Sequence, residues 1–129
     1  MQKLARQVVW FVVVGCAAAS THWLAVVALV STMGLDPLVA NLAGWLLAFG
    51  VSFVGHYQLT FRFQRAPIAM AARRFFAVSA AGFAANQLAY AWLLHATTLR
   101  YDYLLGLVLA GIAGVTFILG RVWAFRHTP

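Results

Sequence analysis

The 129 residues include nine Lys or Arg, two acids and 64% hydrophobic side chains, for a net charge of +7. That is too little polar surface to coat a water-soluble domain of this size, and the uncharged runs between the charges suit a bilayer. The connections between those runs are too short to hold a soluble catalytic domain.

Charge spacing delimits the predicted elements. The uncharged runs hold 29 residues between Arg6 and Asp36, 25 between Asp36 and Arg62, 25 between Arg74 and Arg100, and 18 between Asp102 and Arg121. A hydrocarbon core ~30 Å thick needs ~20 apolar residues at ~1.5 Å rise each. Each run therefore supports one crossing, and four spans are expected: Val8–Val30, Leu38–Leu59, Phe75–Leu94 and Tyr103–Phe125. A cleaved signal peptide would suit the basic start at Lys3 and Arg6, but the first apolar run is longer than a signal core. A retained span carrying Trp10, His22 and Trp23 is expected instead. Cys16 lies inside that span, where a small packing residue is the simplest reading.

The placement of charge predicts orientation. Lys3, Arg6, Arg62, Arg65, Arg73, Arg74, Arg121 and Arg126 fall at the N-terminus, the central loop or the C-terminal end. Arg100 alone falls in the opposite loops, with Asp36 and Asp102. Eight cations against one is a positive-inside bias that places both termini and the central loop in the cytoplasm. The basic end then faces anionic lipid headgroups, at about 1 kcal/mol per cation near the surface; nucleic acid is not an expected partner.

The chain also overlays on itself at an offset of 64 positions without a gap. Phe11 meets Phe75, Leu24-Ala25 meets Leu88-Ala89, Gly50-Val51 meets Gly114-Val115, Phe61-Arg62 meets Phe125-Arg126, and His22 meets Asn86. The expected architecture is an all-α membrane protein, a single domain over 1–129, made of two helical-hairpin repeats at 6–62 and 74–126. Both hairpins start and end on one side, so they are parallel repeats related by an axis along the membrane normal. Small residues predict the seams: Gly15, Ala18, His22 and Ala25 in span one, and Ser79, Gly82, Asn86 and Ala89 in span three. Asn41, Gly44, Ala48, Ser52 and Gly55 would line span two, with Gly106, Ala110, Gly114 and Arg121 in span four.

Polar groups within the spans are the candidate functional residues. His22 and Asn86 lie near mid-span, where the pseudo-axis could pair them; Asn41 and Gln87 share the same two readings, interhelical hydrogen bond or substrate lining. Arg121 lies five residues before Arg126 on the small-residue face. Its guanidinium can snorkel to the interface or hold a phosphate bidentately. The repeat mate of Arg121 is Tyr57, beside His56, and together these groups suit phosphate and sugar hydroxyls. Arg62, Arg65, Arg73 and Arg74 read chiefly as topology anchors. Trp10, Tyr57 and Trp123 at one end, and Trp92, Tyr101 and Tyr103 at the other, read as interfacial belts. No acid lies in a span, and His22, His56, His95 and His127 stand at different depths. Neither catalysis, a metal site nor a cofactor is expected.

These features resemble the GtrA-like membrane proteins across nearly the whole chain, from about Arg6 to Arg126. Phe11-Val12-Val13-Val14-Gly15 is similar to the family's opening of span one, and Pro37-Leu38-Val39-Ala40-Asn41 to that of span two. Ser52-Phe53 and Arg74-Phe75-Phe76-Ala77-Val78-Ser79 match the end of span two and the start of span three. Gly120-Arg121-Val122-Trp123-Ala124-Phe125 is similar to the basic-aromatic motif closing a hairpin, with Gly120 where the family has Asn. The first copy, His56-Tyr57-Gln58-Leu59-Thr60-Phe61, keeps only the final Phe.

The resemblance implies flipping of a polyprenyl-phosphate-linked monosaccharide across the cytoplasmic membrane for polysaccharide or O-antigen modification. Arg121 would hold the phosphate with help from His56, Tyr57, Arg126 or Trp123, and His22, Asn86, Asn41 and Gln87 would line the sugar's path. Two alternatives stand beside it. The chain could be a non-transporting partner of a membrane glycosyltransferase, or a small multidrug-type exporter, though it lacks the intramembrane Glu those exporters use. Any homo-oligomer would be parallel, because the charge bias fixes one orientation.

Overall fold

The computed structural model describes residues 1–62 and 67–119, with side chains as far as residue 113. All regular structure there is helical: α1 (Gln2–Met33), α2 (Pro37–Gly55) continued by a π-helical turn (His56–Thr60), α3 (Ile68–Ala96) and α4 (Tyr101–Leu119). Three stretches, Gln2–Met33, Pro37–Thr60 and Ile68–Ala96, are long and apolar enough to cross a membrane, and Tyr101–Ala113 is a shorter apolar helix. The rest of the expected fourth span lies outside the described residues. The helices exceed the expected spans because chain outside the hydrocarbon layer can remain helical. Thus α3 starts at Ile68 and runs through Arg73 and Arg74, instead of starting after them.

The tight connections follow from local chemistry. Gly34 ends α1 in the left-handed conformation at φ 64°, which glycine adopts without a Cβ penalty. Its N–H reaches the Val30 carbonyl at 3.1 Å and the Leu35 N–H reaches that of Leu29 at 3.4 Å, closing the helix end. Two residues later the Asp36 carboxylate caps α2 by accepting from the Leu38 N–H at 2.9 Å, and Pro37 occupies the first helical position, where no N–H is needed. The second connection ends α3 at Thr97, whose hydroxyl donates to the Leu93 carbonyl at 2.8 Å. Arg100 and Asp102 pair there at 3.0 Å; the guanidinium is mostly exposed, so the pair contributes little to stability.

Helix α1 packs along α2, α3 packs on α4, and further contacts join α2 to α3 and α1 to α4. The apolar core sits toward the tight-loop end: Val26, Ala40, Tyr90, Leu104, Leu105 and Val108. Two hydrogen bonds lock this end across the hairpins and within the second. The Trp23 indole donates to the Asp102 carbonyl at 3.0 Å, and the buried Tyr90 hydroxyl donates to the Tyr101 carbonyl at 2.9 Å. Toward the tight-loop end burial recurs at the 64-residue spacing: His22, Val26, Ala40, Asn41 and Gly44 are buried, and so are Asn86, Tyr90, Leu104, Leu105 and Val108, whereas Val14 and Ala18 are buried and their mates Val78 and Gly82 are exposed.

The small-residue seams need correcting. In α1 the buried stripe is Val14, Ala18, His22 and Val26, and Gly15 faces open space. In α3 it is Asn86 and Tyr90, with Gly82 open. In α4 the described buried residues are Leu104, Leu105 and Val108, while Ala110 is exposed. Cys16, expected to pack, is also exposed. The reason is energetic: lipid solvates an exposed Leu as well as a protein core does, so apolar bulk can face either way. The expected stripe is followed most closely in α2, where Asn41, Gly44 and Ala48 are buried and Ser52 and Gly55 half-buried; Ala18 and His22 of α1 and Asn86 of α3 are also buried as expected.

Close approach explains α2. A Cβ on Gly44 would lie 2.9 Å from His22 Cδ2 and 2.9 Å from Val26 Cγ2, and one on Gly55 would lie 2.6 Å from Val14 Cγ1. Gly44→Ala is therefore expected to cost about 1–3 kcal/mol through overpacking. Gly15→Ala, with nothing within 4 Å of its new Cβ, is expected to be neutral or slightly stabilising. Thermal unfolding of both variants in detergent checks the difference; equal shifts would contradict this packing of α1 on α2.

Candidate functional site

Three polar side chains within the bundle gather around a fourth, Asn41. Asn41 lies on α2 in the second turn after its Asp36 cap, and its side chain is fully enclosed. Its Oδ1 lies 2.6 Å from His22 Nε2 on α1. Its Nδ2 donates to Asn86 Oδ1 at 2.8 Å and to Gln87 Oε1 at 2.7 Å, both on α3. Because both Nδ2 hydrogens are used on carbonyl oxygens, Oδ1 faces the imidazole, and His22 Nε2 is the donor. Gln87 in turn donates to the Leu38 carbonyl at 3.0 Å. His22, Asn41, Asn86 and Gln87, the residues expected to form a polar path, thus form one connected network over three helices.

The network exists because α1 can approach α2. Gly44 lies one turn beyond Asn41, and without a side chain there the His22 ring and backbone come against α2. Chemically, the assembly offers amide oxygens, amide N–H groups and an imidazole, each able to exchange a mutual hydrogen bond for one to a hydroxyl. It holds no carboxylate.

His56 and Tyr57 lie at the other end of α2, in the π turn closed by the Phe61 N–H to the His56 carbonyl at 2.8 Å. Wide turns of this kind often occur at functional positions. His56 is buried, and its Nδ1 lies 3.0 Å from Thr60 Oγ1. Its ring stacks on Phe11 of α1 at 5.0 Å and meets the edge of Phe75 of α3 at 5.8 Å. Tyr57 stacks on Phe53 at 5.7 Å. The structure thus puts His56 in an aromatic box separate from the Asn41 network. Arg121, Trp123 and Arg126 lie outside the described residues.

Sequence reasoning missed a further polar bridge and the aromatic seam around it. The Trp45 indole donates to Ser79 Oγ at 2.9 Å, joining α2 to α3. Trp45 also stacks on Phe83 at 4.6 Å, and Phe49 meets Phe76 edge-on at 5.4 Å. The signal was the aromatic set Trp45, Phe49 and Phe53 at spacings of four, which places them on one face of α2.

Replacing Asn41 by Leu leaves the His22 donor and the Asn86 and Gln87 acceptors to find new partners in an apolar setting. The expected cost is about 1–3 kcal/mol. An Asn41→Ala/Asn86→Ala cycle is expected to show coupling of roughly 1 kcal/mol, measured by reversible unfolding in detergent. Additive single effects would contradict the bond.

No curated protein and no solved structure matches the chain. The GtrA/DPMS transmembrane domain family matches residues 10–128, which covers every element described above beyond the first turns of α1. The three membrane-length helices and the match over almost the full sequence agree: this chain is a multi-pass membrane protein belonging to the GtrA/DPMS transmembrane domain family.

Proposed function

We propose that the chain translocates a polyprenyl-phosphate-linked monosaccharide across the cytoplasmic membrane for cell-surface polysaccharide modification. Family membership supports a role in polyprenyl-phosphate sugar handling. The observation that carries the finer reading is the polar network centred on Asn41, which spans α1, α2 and α3 inside the bundle. Amide and imidazole groups that satisfy one another at rest can satisfy sugar hydroxyls one for one in transit, so a sugar passes without leaving polar groups bare.

In this reading both termini are cytoplasmic and the two hairpins are parallel halves. The recurrence of burial at the 64-residue spacing toward the tight-loop end supports the halves, and the eight-to-one charge bias supports the orientation. The phosphate is held at the basic end by Arg121, with His56, Tyr57, Arg126 and Trp123 nearby. The sugar moves along His22, Asn86, Asn41 and Gln87 while the prenyl tail stays in lipid. With no acid in any span, exchange runs down a gradient and is not driven by an ion. The full enclosure of Asn41 favours a second reading, in which the network is a structural lock and the chain is a non-transporting partner of a membrane glycosyltransferase.

Reconstitution in liposomes with a labelled polyprenyl-phosphate sugar separates these readings. The protein is expected to speed leaflet exchange, and Arg121→Ala and Asn86→Ala to slow it at least roughly tenfold, the loss of one charge-assisted contact or more. Exchange that is equal with and without protein, or an Arg121→Ala variant as active as the parent, would count against translocation and for the partner role.

Orientation has its own check. In a Cys16→Ser background, single cysteines at Gln2 and His127 are expected to react with an impermeant maleimide in inverted vesicles and not in intact spheroplasts. Labelling from opposite faces would overturn the paired-terminus topology.

A further inference from the structure

Two hydrogen bonds at the tight-loop end join the hairpins, and each is the copy of the other. The Trp23 indole N–H of α1 donates to the Asp102 carbonyl in the first turn of α4 at 3.0 Å. The Gln87 amide N–H of α3 donates to the Leu38 carbonyl in the first turn of α2, also at 3.0 Å. Residues 23 and 87 stand 64 positions apart, and so do residues 38 and 102. The same bond therefore spans both seams between the hairpins, although one donor is an indole and the other an amide. The apolar cluster pairs at the same offset, Val26 with Tyr90 and Ala40 with Leu104, and Trp23 and Leu38 pack against it. On the basic side of the Asn41 layer the pairing stops. There the Trp45–Ser79 bond joins α2 to α3, and the residues 64 positions away, Leu109 and Gly15, have no side chain able to form it.

Bonds of this kind can part at low cost. A carbonyl inside a helix keeps its own main-chain bond when a side-chain donor leaves, so no backbone group is stranded. The Trp23 indole stands beside the Arg100–Asp102 pair, whose guanidinium is mostly exposed, so water and headgroups are at hand to receive its N–H. Gln87 accepts from Asn41 through Oε1 while it donates to Leu38 through Nε2, so one latch shares a side chain with the polar network. Val26, Tyr90, Leu104 and Leu105 are closed off from solvent at this end, and a translocated headgroup has to leave through it. We infer that the Trp23–Asp102 and Gln87–Leu38 bonds are the paired latches of a gate that opens the tight-loop end between the two hairpins. This rests on the translocation reading and deepens it: the structure is the state closed at that end. A substrate hydroxyl that takes the Asn41 N–H from Gln87 Oε1 loosens the latch on the same side chain. The Trp45–Ser79 bond and the aromatic seam hold the hairpins together on the basic side while the latches part.

Cysteine accessibility of the full-length protein in lipid nanodiscs, where an impermeant maleimide reaches both ends of the bundle, tests the gate. In a Cys16→Ser background, Ala40→Cys puts a thiol in the buried cluster beneath the latches. Ala48→Cys puts one at a buried position of α2 on the basic side of Asn41. Trp23→Phe and Gln87→Met each remove one latch and are expected to speed labelling of Ala40→Cys roughly threefold to tenfold, and together at least about tenfold. Labelling of Ala48→Cys is expected to stay within roughly twofold, because the opening is confined to one end. Trp45→Phe makes the same change of ring and removes a cross-hairpin bond on the basic side; it is expected to leave Ala40→Cys within about twofold. Each single variant is read separately, so the test stands even where the double variant does not fold. Unchanged labelling of Ala40→Cys in either single latch variant would overturn the paired gate. Equal acceleration at Ala48→Cys, or by Trp45→Phe, would mark general loosening and overturn it as well. The liposome assay separates the gate from transport. Latch-dependent labelling without lipid exchange by the parent leaves the gate and sinks translocation, whereas exchange by the parent with latch-independent labelling does the reverse.

Discussion

The Asn41 amide is the group on which the arrangement of the first three helices depends. In a bundle surrounded by lipid, an unpaired amide has no water to turn to and costs several kcal/mol. Asn41 avoids that cost by meeting His22 on one side and Asn86 and Gln87 on the other. The geometry fixes α1 and α3 in height and rotation against α2, because short polar side chains reach their partners in only one register. Apolar packing alone would be more permissive, since lipid and protein solvate Leu alike. The Gly44 contact, the burial of Val26 and the position of Tyr90 one turn beyond Asn86 are consistent with that register.

Away from this layer the two ends of the bundle differ. The tight-loop end is closed by the Gly34 turn, the Asp36 cap and the bonds from Trp23 and Tyr90 to carbonyls at the start of α4. The basic end has another character. There α2 widens into a π turn, His56 sits among Phe11, Phe61 and Phe75, and cations surround an open cavity. The described buried residues of α3, Asn86 and Tyr90, both lie in its second half. In the translocation proposed above, a headgroup would enter from the basic side, and the bonds that would have to exchange are those at Asn41.

Much of this was legible in the charge pattern and in the few polar residues. His22, Asn41, Asn86 and Gln87 stood out because a polar group inside an apolar run must find a partner, and the structure places all four in one network. The seams were less legible: a stripe of small residues marks where helices can approach, not where they do. Gly15 and Gly82 are open while Val14 and Val26 are buried. Lys3, Arg6 and Arg62 read in the sequence only as topology charges, and that they line one cavity depends on how the start of α1 sits against the π turn.

The sequence by itself determined the helical class, the positions of the uncharged runs, the basic-end asymmetry and the identity of the polar residues needing partners. These follow from local quantities, namely the transfer cost of charges and the length of apolar chain per crossing. Only the tertiary structure decided that Asn41 is the shared partner, that Gly44 and not Gly15 is the point of closest approach, and that Lys3, Arg6 and Arg62 enclose one cavity. Those outcomes depend on how helices rotate against one another. In lipid, hydrophobicity exerts little torque on that rotation, and steric fit with directional hydrogen bonds sets it instead.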